Sequence, residues 1–373
     1  MSTSSQVRTV RAGQTSFLLR EHGTGPAGST PVLLLHGVPE TSSCWGDVAP
    51  ELAAGRRVLA PDLPGLGGSA YAGPYDVASV VAQLAALIEA EVPGGRVDVV
   101  GHDWGGSLAL GLAGGRADLV RRLVVVNAPY RSVPLLRAPH IPFFALPVVP
   151  ELLFRVGGRR VVDAMFNLAW KAPRALDAER RAEYAAAYTV PAKVSAMLGL
   201  YRAAVRPRLA ALVGRGSVPG IPRVRAEKAL VLWGAADPVL PISVGEGVVR
   251  DLGADCVMVT VPGAGHFVVE EAPEVVTPVL LDFLADETTP PPVPAAPPEK
   301  PGEEFTPIEP PAGGPPVKKT PVKKAPVKKA PVKKAPVKKA PVKKAPVQSA
   351  PVKKAPVQSA RKAPPHRPSA DPG

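Results

Sequence analysis

Three side chains in this sequence are of types that together perform nucleophilic chemistry, and each follows an apolar run. Asp103 lies in Gly101-His102-Asp103-Trp104-Gly105-Gly106, Asp237 in Gly234-Ala235-Ala236-Asp237-Pro238, and His266 in Pro262-Gly263-Ala264-Gly265-His266-Phe267. In that order they read as a nucleophile, an orienting acid and a general base. The imidazole would activate water, and the acid would hold its tautomer and direction. A carboxylate in the first role restricts the substrate. Attack on an ester carbonyl would give an anhydride, whereas attack on a saturated carbon with a good leaving group gives a stable alkyl ester. Water activated by His266 would then cleave that ester at the Asp103 carbonyl. The oxyanion formed there needs donors, expected from the backbone N–H groups of Val38 and Trp104.

The elements that must carry these groups follow from the apolar pattern. Val97-Asp98-Val99-Val100 reads as a buried strand and Ser107–Ala113 as the opening of a helix. The glycine-flanked turn between them is a nucleophile elbow, with aspartate where serine is familiar. Ser16–Arg20 reads as an early edge strand. Pro31–Leu35, Val58–Ala60, Leu123–Val126, Ala229–Trp233 and Val257–Val261 are further short strands, and a helix is expected around Ala78–Glu91. Strands alternating with helices specify the α/β class, with a mostly parallel sheet covered on both faces. Between Tyr130 and about Gly220 that rhythm breaks into proline-interrupted, Ala- and Arg-rich helical stretches. An insertion there would lie as a helical cap over the carboxyl ends of the strands, where open α/β sheets bind ligands. The expected organisation is a core of residues 1–130 and 221–285, a cap of 131–220 and a tail of 286–373.

The tail differs in kind. The chain carries a net charge of +13, yet 18 Lys and Arg against 7 Asp and Glu fall from Asp286 onward. Residues 1–285 are therefore close to neutral. Residues 316–360 form nine pentads, each Pro-Val-Lys-Lys-Ala or a close variant. Proline at every fifth position forbids a stable helix and clustered lysines repel, so an extended, disordered, polyproline II-like segment is expected. It would serve as a solvated linker or as a sequence-independent contact for nucleic acid or another polyanion, with the folded part as cargo. Without interleaved aromatics it would not read bases.

Two cysteines, Cys44 and Cys256, are too few for a disulfide framework and suit a reduced, cytoplasmic setting. No signal-type apolar stretch opens the chain, and no run is long enough to span a membrane. His and Cys spacing gives no metal site, and Gly65-Leu66-Gly67-Gly68 is not a dinucleotide fingerprint, so no cofactor is expected.

Five motifs in order carry a family resemblance. They are His36-Gly37-Val38-Pro39-Glu40, Asp62-Leu63-Pro64-Gly65-Leu66-Gly67-Gly68-Ser69, Gly101–Gly106, Asp237 and Gly263–Phe267. Over about residues 14–285 the chain resembles the α/β-hydrolase superfamily, in the branch of epoxide hydrolases and haloalkane dehalogenases. The pentads resemble the tails of linker histones and bacterial histone-like proteins. The resemblance implies that His36, Gly37 and Pro39 support the oxyanion loop, and that a small apolar electrophile and water are the substrates. An epoxide needs an acidic O–H donor and a halide needs N–H donors. Val38 offers no side-chain donor and Glu40 would oppose a nearby anion, whereas Gly199-Leu200-Tyr201-Arg202 resembles the segment bearing a ring-opening tyrosine. The balance is toward epoxide to vicinal diol, with a haloalkane or haloacid dehalogenase, or another α/β hydrolase, as the alternative. The resemblance also implies a second tyrosine early in the cap. Pro142–Ala145 and Glu151–Phe154 carry only phenylalanine, which leaves Tyr184 and Tyr188 as candidate substitutes. His22, His102 and His140 have no partner evident in the sequence.

Overall fold

The computed structural model describes residues 5–131, 138–212, 223–253 and 255–285. The lysine pentads, and the extended conformation and polyanion contact expected of them, lie outside the described residues.

Strands β1 (Ser5–Ala12), β2 (Thr15–His22), β3 (Val32–Leu35), β4 (Val58–Pro61), β5 (Val97–His102), β6 (Val120–Val126), β7 (Lys228–Gly234) and β8 (Cys256–Val261) form one sheet. Their order is β1-β2-β4-β3-β5-β6-β7-β8. The β1–β2 and β2–β4 pairs are antiparallel, and every pair from β4 to β8 is parallel. The apolar runs of β3, β4 and β5 are buried throughout, as a parallel sheet covered on both faces requires. One expectation changes. Ser16–Arg20 belongs to β2, which is not an edge, because β1 lies outside it. The β1 sequence is mostly exposed and carries little apolar signal. It is held by its ladder and by Arg8, which bridges Glu21 and Glu91.

The helices pack where their sequences provide apolar faces. After the short α1 (Ala49–Leu52), α2 (Val77–Glu91) starts at Asp76, whose carboxylate accepts from the Ser79 N–H at 3.0 Å. It buries Val80, Val81, Leu84, Leu87 and Ile88 on one stripe. Helix α3 (Trp104–Gly115) follows β5 after a single residue, Asp103. Between β6 and β7 the described residues contain five helices and no strand: α4 (His140–Phe144), α5 (Val149–Gly157), α6 (Arg159–Ala169), α7 (Ala178–Ala187) and α8 (Pro191–Leu212). Helices α9 (Ile242–Leu252), α10 (Val268–Glu271) and α11 (Pro273–Leu284) complete the core. Among the described residues no helix is long and apolar enough to cross a membrane. Cys44 and Cys256 are buried and free.

This topology puts the chemistry-bearing turns together. From β3 the chain runs to β4 on one side, then returns to β5 on the other, so the turns after β3 and β5 open a crevice between them. Leu35 pairs with Gly101, Val126 with His102 and with Leu232, and Gly234 with Val261, so five strand ends finish at about one level. The two turns touch. A Cβ added to Gly105 would stand 2.2 Å from the Leu35 carbonyl oxygen, and one on Gly37 would stand 2.6 Å from Asp103 Cβ. Only glycine permits that approach. Gly105→Ala is therefore expected to destabilise by at least about 2 kcal/mol in urea unfolding, because rigid backbone would have to move. Gly115→Ala, with no atom in the way at the end of the same helix, is expected to be neutral or stabilising. Equal effects of the two substitutions would contradict this packing.

Candidate active site

Asp103 occupies the turn between β5 and α3 with φ 49° and ψ −120°, a left-handed conformation rare for any side chain but glycine. Its backbone is fixed from both sides, with the N–H donating to Val126 O at 3.0 Å and the carbonyl accepting from Gly106 and Ser107 N–H. The carboxylate is buried. Oδ2 accepts from the Val38 N–H at 3.0 Å, and the Trp104 N–H also donates to the carboxylate. Both backbone donors expected from the sequence thus converge on this side chain. Burial raises the Asp103 pKa, against the pull of His266, His102 and the two N–H donors.

His266 follows β8 and turns toward the elbow, its Nε2 3.8 Å from Asp103 Oδ1. Its Nδ1 is 2.8 Å from Asp237 Oδ2, so Nδ1 carries the proton and donates. Burial opposes its charged form, but Asp237 and then Asp103 outweigh this and raise its pKa. Asp237 follows β7 and is tightly held: Oδ1 accepts from the N–H groups of Val239 and Leu240 at 2.7 and 2.9 Å. Despite desolvation, His266, then the Asn127 side chain and the Leu240 N–H, lower its pKa. Sequence reasoning missed Asn127. It sits at the end of β6 with φ 37°, and its Nδ2 donates to Asp237 Oδ2 at 2.6 Å while its Oδ1 accepts from Gly234 N–H at 2.9 Å. An asparagine directly after a buried strand, one strand away from the acid, was the available signal.

His102, without a partner in the sequence, has two. Its Nδ1 is 2.8 Å from Glu40 Oε2 and its Nε2 2.9 Å from the His266 carbonyl oxygen. All acceptors being oxygens, both nitrogens donate, and the ring is an imidazolium. Burial disfavours that charge, yet the Glu40 carboxylate dominates and pushes the pKa up to about 9. Glu40 is correspondingly held below its ordinary value by His102, against its own complete burial. The same Oε2 accepts from the Gly37 N–H at 3.0 Å. His36 braces this loop from the other side: its Nε2 accepts from Leu63 N–H at 2.9 Å, leaving Nδ1 to donate to Gly37 O at 2.7 Å. Pro39 follows a cis peptide in the same loop.

The tyrosines separate into two groups. Tyr201 on α8 stands edge-on to Trp104, ring centroids 5.2 Å apart, and the Trp104 indole hydrogen-bonds its hydroxyl. Burial and then the Asp103 charge raise its pKa, so it keeps its proton. Tyr184 and Tyr188 do not join it. Tyr184 donates to Glu270 Oε1 at 3.0 Å and Tyr188 to the Glu40 carbonyl at 2.9 Å, so both hydroxyls are already committed. The residue beside Tyr201 early in the insertion is His140, its ring 6.3 Å away. Burial, with the nearby His266 charge, lowers the His140 pKa to about 4, leaving a neutral imidazole with one N–H. It lies two residues ahead of Pro142–Ala145, and that nearness was the available signal. Phe144 and Phe154 fill the wall behind, Phe144 5.1 Å from Tyr201.

Of the two acids of α10, Glu271 anchors the His266 turn and Glu270 pairs with Arg180 and Tyr184. Glu271 accepts from the N–H groups of Gly265, Phe267, Lys171 and Ala172, joining the turn to the insertion. Burial, then repulsion from Glu40, raises the Glu270 pKa to about 8 despite Arg180 and Tyr184. Among the described residues no group of three or more His, Cys, Asp or Glu is arranged to hold a metal ion.

Residues 32–279 match the alpha/beta hydrolase family. The chain is similar to the AB hydrolase superfamily protein YfhM of Bacillus subtilis, 27% identical over 270 residues covering 69% of this chain and 90% of that one. It is also similar to the soluble epoxide hydrolase of Corynebacterium sp., 27% identical over 293 residues covering 71% of this chain and 94% of that one. Among solved structures, epoxide hydrolase A from Mycobacterium thermoresistibile matches with a TM-score of 0.60 at 27% identity, over 75% of this chain and 98% of that one.

The buried acids and bases set a pH dependence of stability. His102 holds its proton up to about 9 in the folded chain against 6.5 ordinarily, so its contribution is complete below about pH 6.5 and is lost as pH rises through 9. Glu270 binds a proton up to about 8 when folded but ionises from 4.5 when unfolded, which weakens the fold over that interval. Both act in one direction. The thermal midpoint is expected to fall as pH rises from about 6 to 9, and Glu270→Gln to flatten the part below 8. A midpoint that rises across this range would refute the assignment.

Proposed function

We propose, for a chain that belongs to the alpha/beta hydrolase family, that it is an aspartate-nucleophile hydrolase opening an epoxide to a vicinal diol. The observation that carries this reading is the Asp103 carboxylate, with two backbone N–H donors on it and His266 Nε2 3.8 Å away. Epoxide hydrolases among the similar proteins support the substrate class. In this reading the insertion acts as a cap that brings Tyr201 and His140 over the elbow.

Asp103 attacks a ring carbon, the carbon–oxygen bond of the ring breaks, and the departing oxygen takes the Tyr201 proton while the His140 N–H hydrogen-bonds it. The products of this step are an alkyl ester and a tyrosinate. Esterification removes the Asp103 charge, one of the two carboxylate charges that sustain the proton on His266. That proton returns to Tyr201, and the neutral His266 takes one from water. The resulting hydroxide adds to the ester carbonyl, and the Val38 and Trp104 N–H groups hold the oxyanion. Collapse expels the diol alkoxide, which takes the proton of the Asp103 acid and leaves the starting state. A halide-releasing reaction fits less well, because the Trp104 indole N–H is already engaged by the Tyr201 hydroxyl.

His266→Gln is expected to form the ester without cleaving it, so intact-mass analysis with a panel of epoxides should find a stable adduct on Asp103. Halide release from alkyl halides, with no adduct from any epoxide, would move the enzyme to the dehalogenase class. Tyr201→Phe is expected to slow ester formation about 100-fold in rapid-quench single turnovers, with ester breakdown changed much less. Equal slowing of the two steps would remove Tyr201 from the donor role.

A further inference from the structure

Helix α5 presents an apolar outer face. Val149, Leu152, Leu153 and Val156 recur at helical spacing, and Val156 is 79% exposed and Leu152 56%. Leu146 and Val148, just ahead of the helix, are exposed as well, Val148 at 72%. The inner face is also apolar, burying Pro150 and Phe154. A helix on the surface of a globular core ordinarily carries polar residues on its outer face. The lone acid of α5, Glu151, is paired with Arg202 at 2.7 Å. Around the stripe the charge is positive: Arg155 closes α5 and Arg159 and Arg160 open α6, all exposed. Among the described residues Arg155 and Arg160 form no ion pair, while Arg159 reaches Asp163 at 3.4 Å.

We infer that this face docks the protein on an anionic lipid bilayer. Valine and leucine side chains of the stripe enter the boundary between headgroups and acyl chains, and the rimming arginines meet lipid phosphates. A second copy of the chain is the weaker fit, because a two-fold interface through this stripe would set the same arginines against one another. The docked helix is also the outer layer of the site wall: Phe154 packs on Phe144, Phe144 on Tyr201, and Tyr201 on Trp104. On the reading of Asp103 as nucleophile, which this consequence alone requires, the enzyme draws apolar epoxides dissolved in the bilayer.

The test uses the full chain with Val156→Cys carrying an environment-sensitive fluorophore, Cys44 and Cys256 being buried. Vesicles of phosphatidylcholine with about one quarter phosphatidylglycerol are expected to shift its emission to the blue, and pure phosphatidylcholine to do so weakly. Adding Val149→Glu and Leu152→Glu is expected to weaken the lipid dependence of the blue shift at least about tenfold, and Arg155→Glu with Arg160→Glu to bring the shift on anionic vesicles down toward that on pure phosphatidylcholine. Vesicle binding without a blue shift would assign the attachment to the lysine pentads and overturn the inference. A dimer in sedimentation that gives the same blue shift without lipid would overturn it too. None of these readouts involves the chemistry of Asp103, whose own test is the trapped ester.

Discussion

The site is organised by a buried ion pair, Glu40 with His102, that lies beneath Asp103 rather than in front of it. Both side chains are fully buried, and the pair spans 2.8 Å. Desolvating two charges is expensive, and an apolar pair of similar volume would often be as stable, so stability alone does not account for it. Its connections do. Glu40 Oε2 also holds the Gly37 N–H, which sets the loop that aims the Val38 N–H at Asp103. His102 neighbours Asp103 in sequence and holds the His266 carbonyl, so one imidazolium ties the backbone at both residues. The turns after β3, β5 and β8 are thereby tied to one another through two side chains. The second oxygen of Glu40 has no hydrogen-bond partner among the described residues, and burial, with the Glu40 charge second to it, raises the Glu270 pKa to about 8.

Strain at the elbow is held in place by the packing around it. Asp103 and Asn127, at the ends of adjacent strands, both adopt positive φ, and each aims a side chain where a relaxed strand end would not. Asn127 directs Asp237, and Asp237 directs His266. A left-handed conformation costs on the order of 1–3 kcal/mol at such residues, so the surrounding structure must determine it. Here it does so through the Asp103 N–H bond to Val126, the two helical bonds to its carbonyl, and the contact of Gly105 with the Leu35 backbone.

Much of this was legible in the sequence, for particular reasons. The parallel strands are short uninterrupted apolar runs because both their faces are covered, and the turns after them are marked by glycines that the close approach requires. That Asp103, Asp237 and His266 come together could therefore be read from position alone. The β1 strand could not, because its residues are largely exposed and it is held by pairing and by Arg8 rather than by an apolar face. The tyrosines failed for a different reason: Tyr184, Tyr188 and Tyr201 are equivalent as residue types, and only the packing of α7 and α8 decides which hydroxyl is already spoken for. Asn127, His102 and His140 gain their partners across strands or across the insertion, at separations that no local pattern encodes.

The charges around Asp103 alternate in sign, and this lets one buried site hold so many of them. Asp237, His266, Asp103, His102 and Glu40 form a sequence in which each carboxylate faces an imidazole and each imidazole lies between two acceptors. In a low-dielectric interior such an arrangement is stable only as a whole, since removing one charge leaves its neighbours poorly compensated. Asp103 is the member whose charge the proposed reaction removes. Both imidazoles then lose a neighbour, but unequally: His102 keeps Glu40 with its direct hydrogen bond, so its proton stays. His266 keeps Asp237 but loses the carboxylate charge that its Nε2 faces at 3.8 Å, and in the proposed reaction it is the one that yields its proton. In that reading the base needed for ester hydrolysis becomes available when the ester exists, because the group that esterification neutralises is the one His266 Nε2 faces.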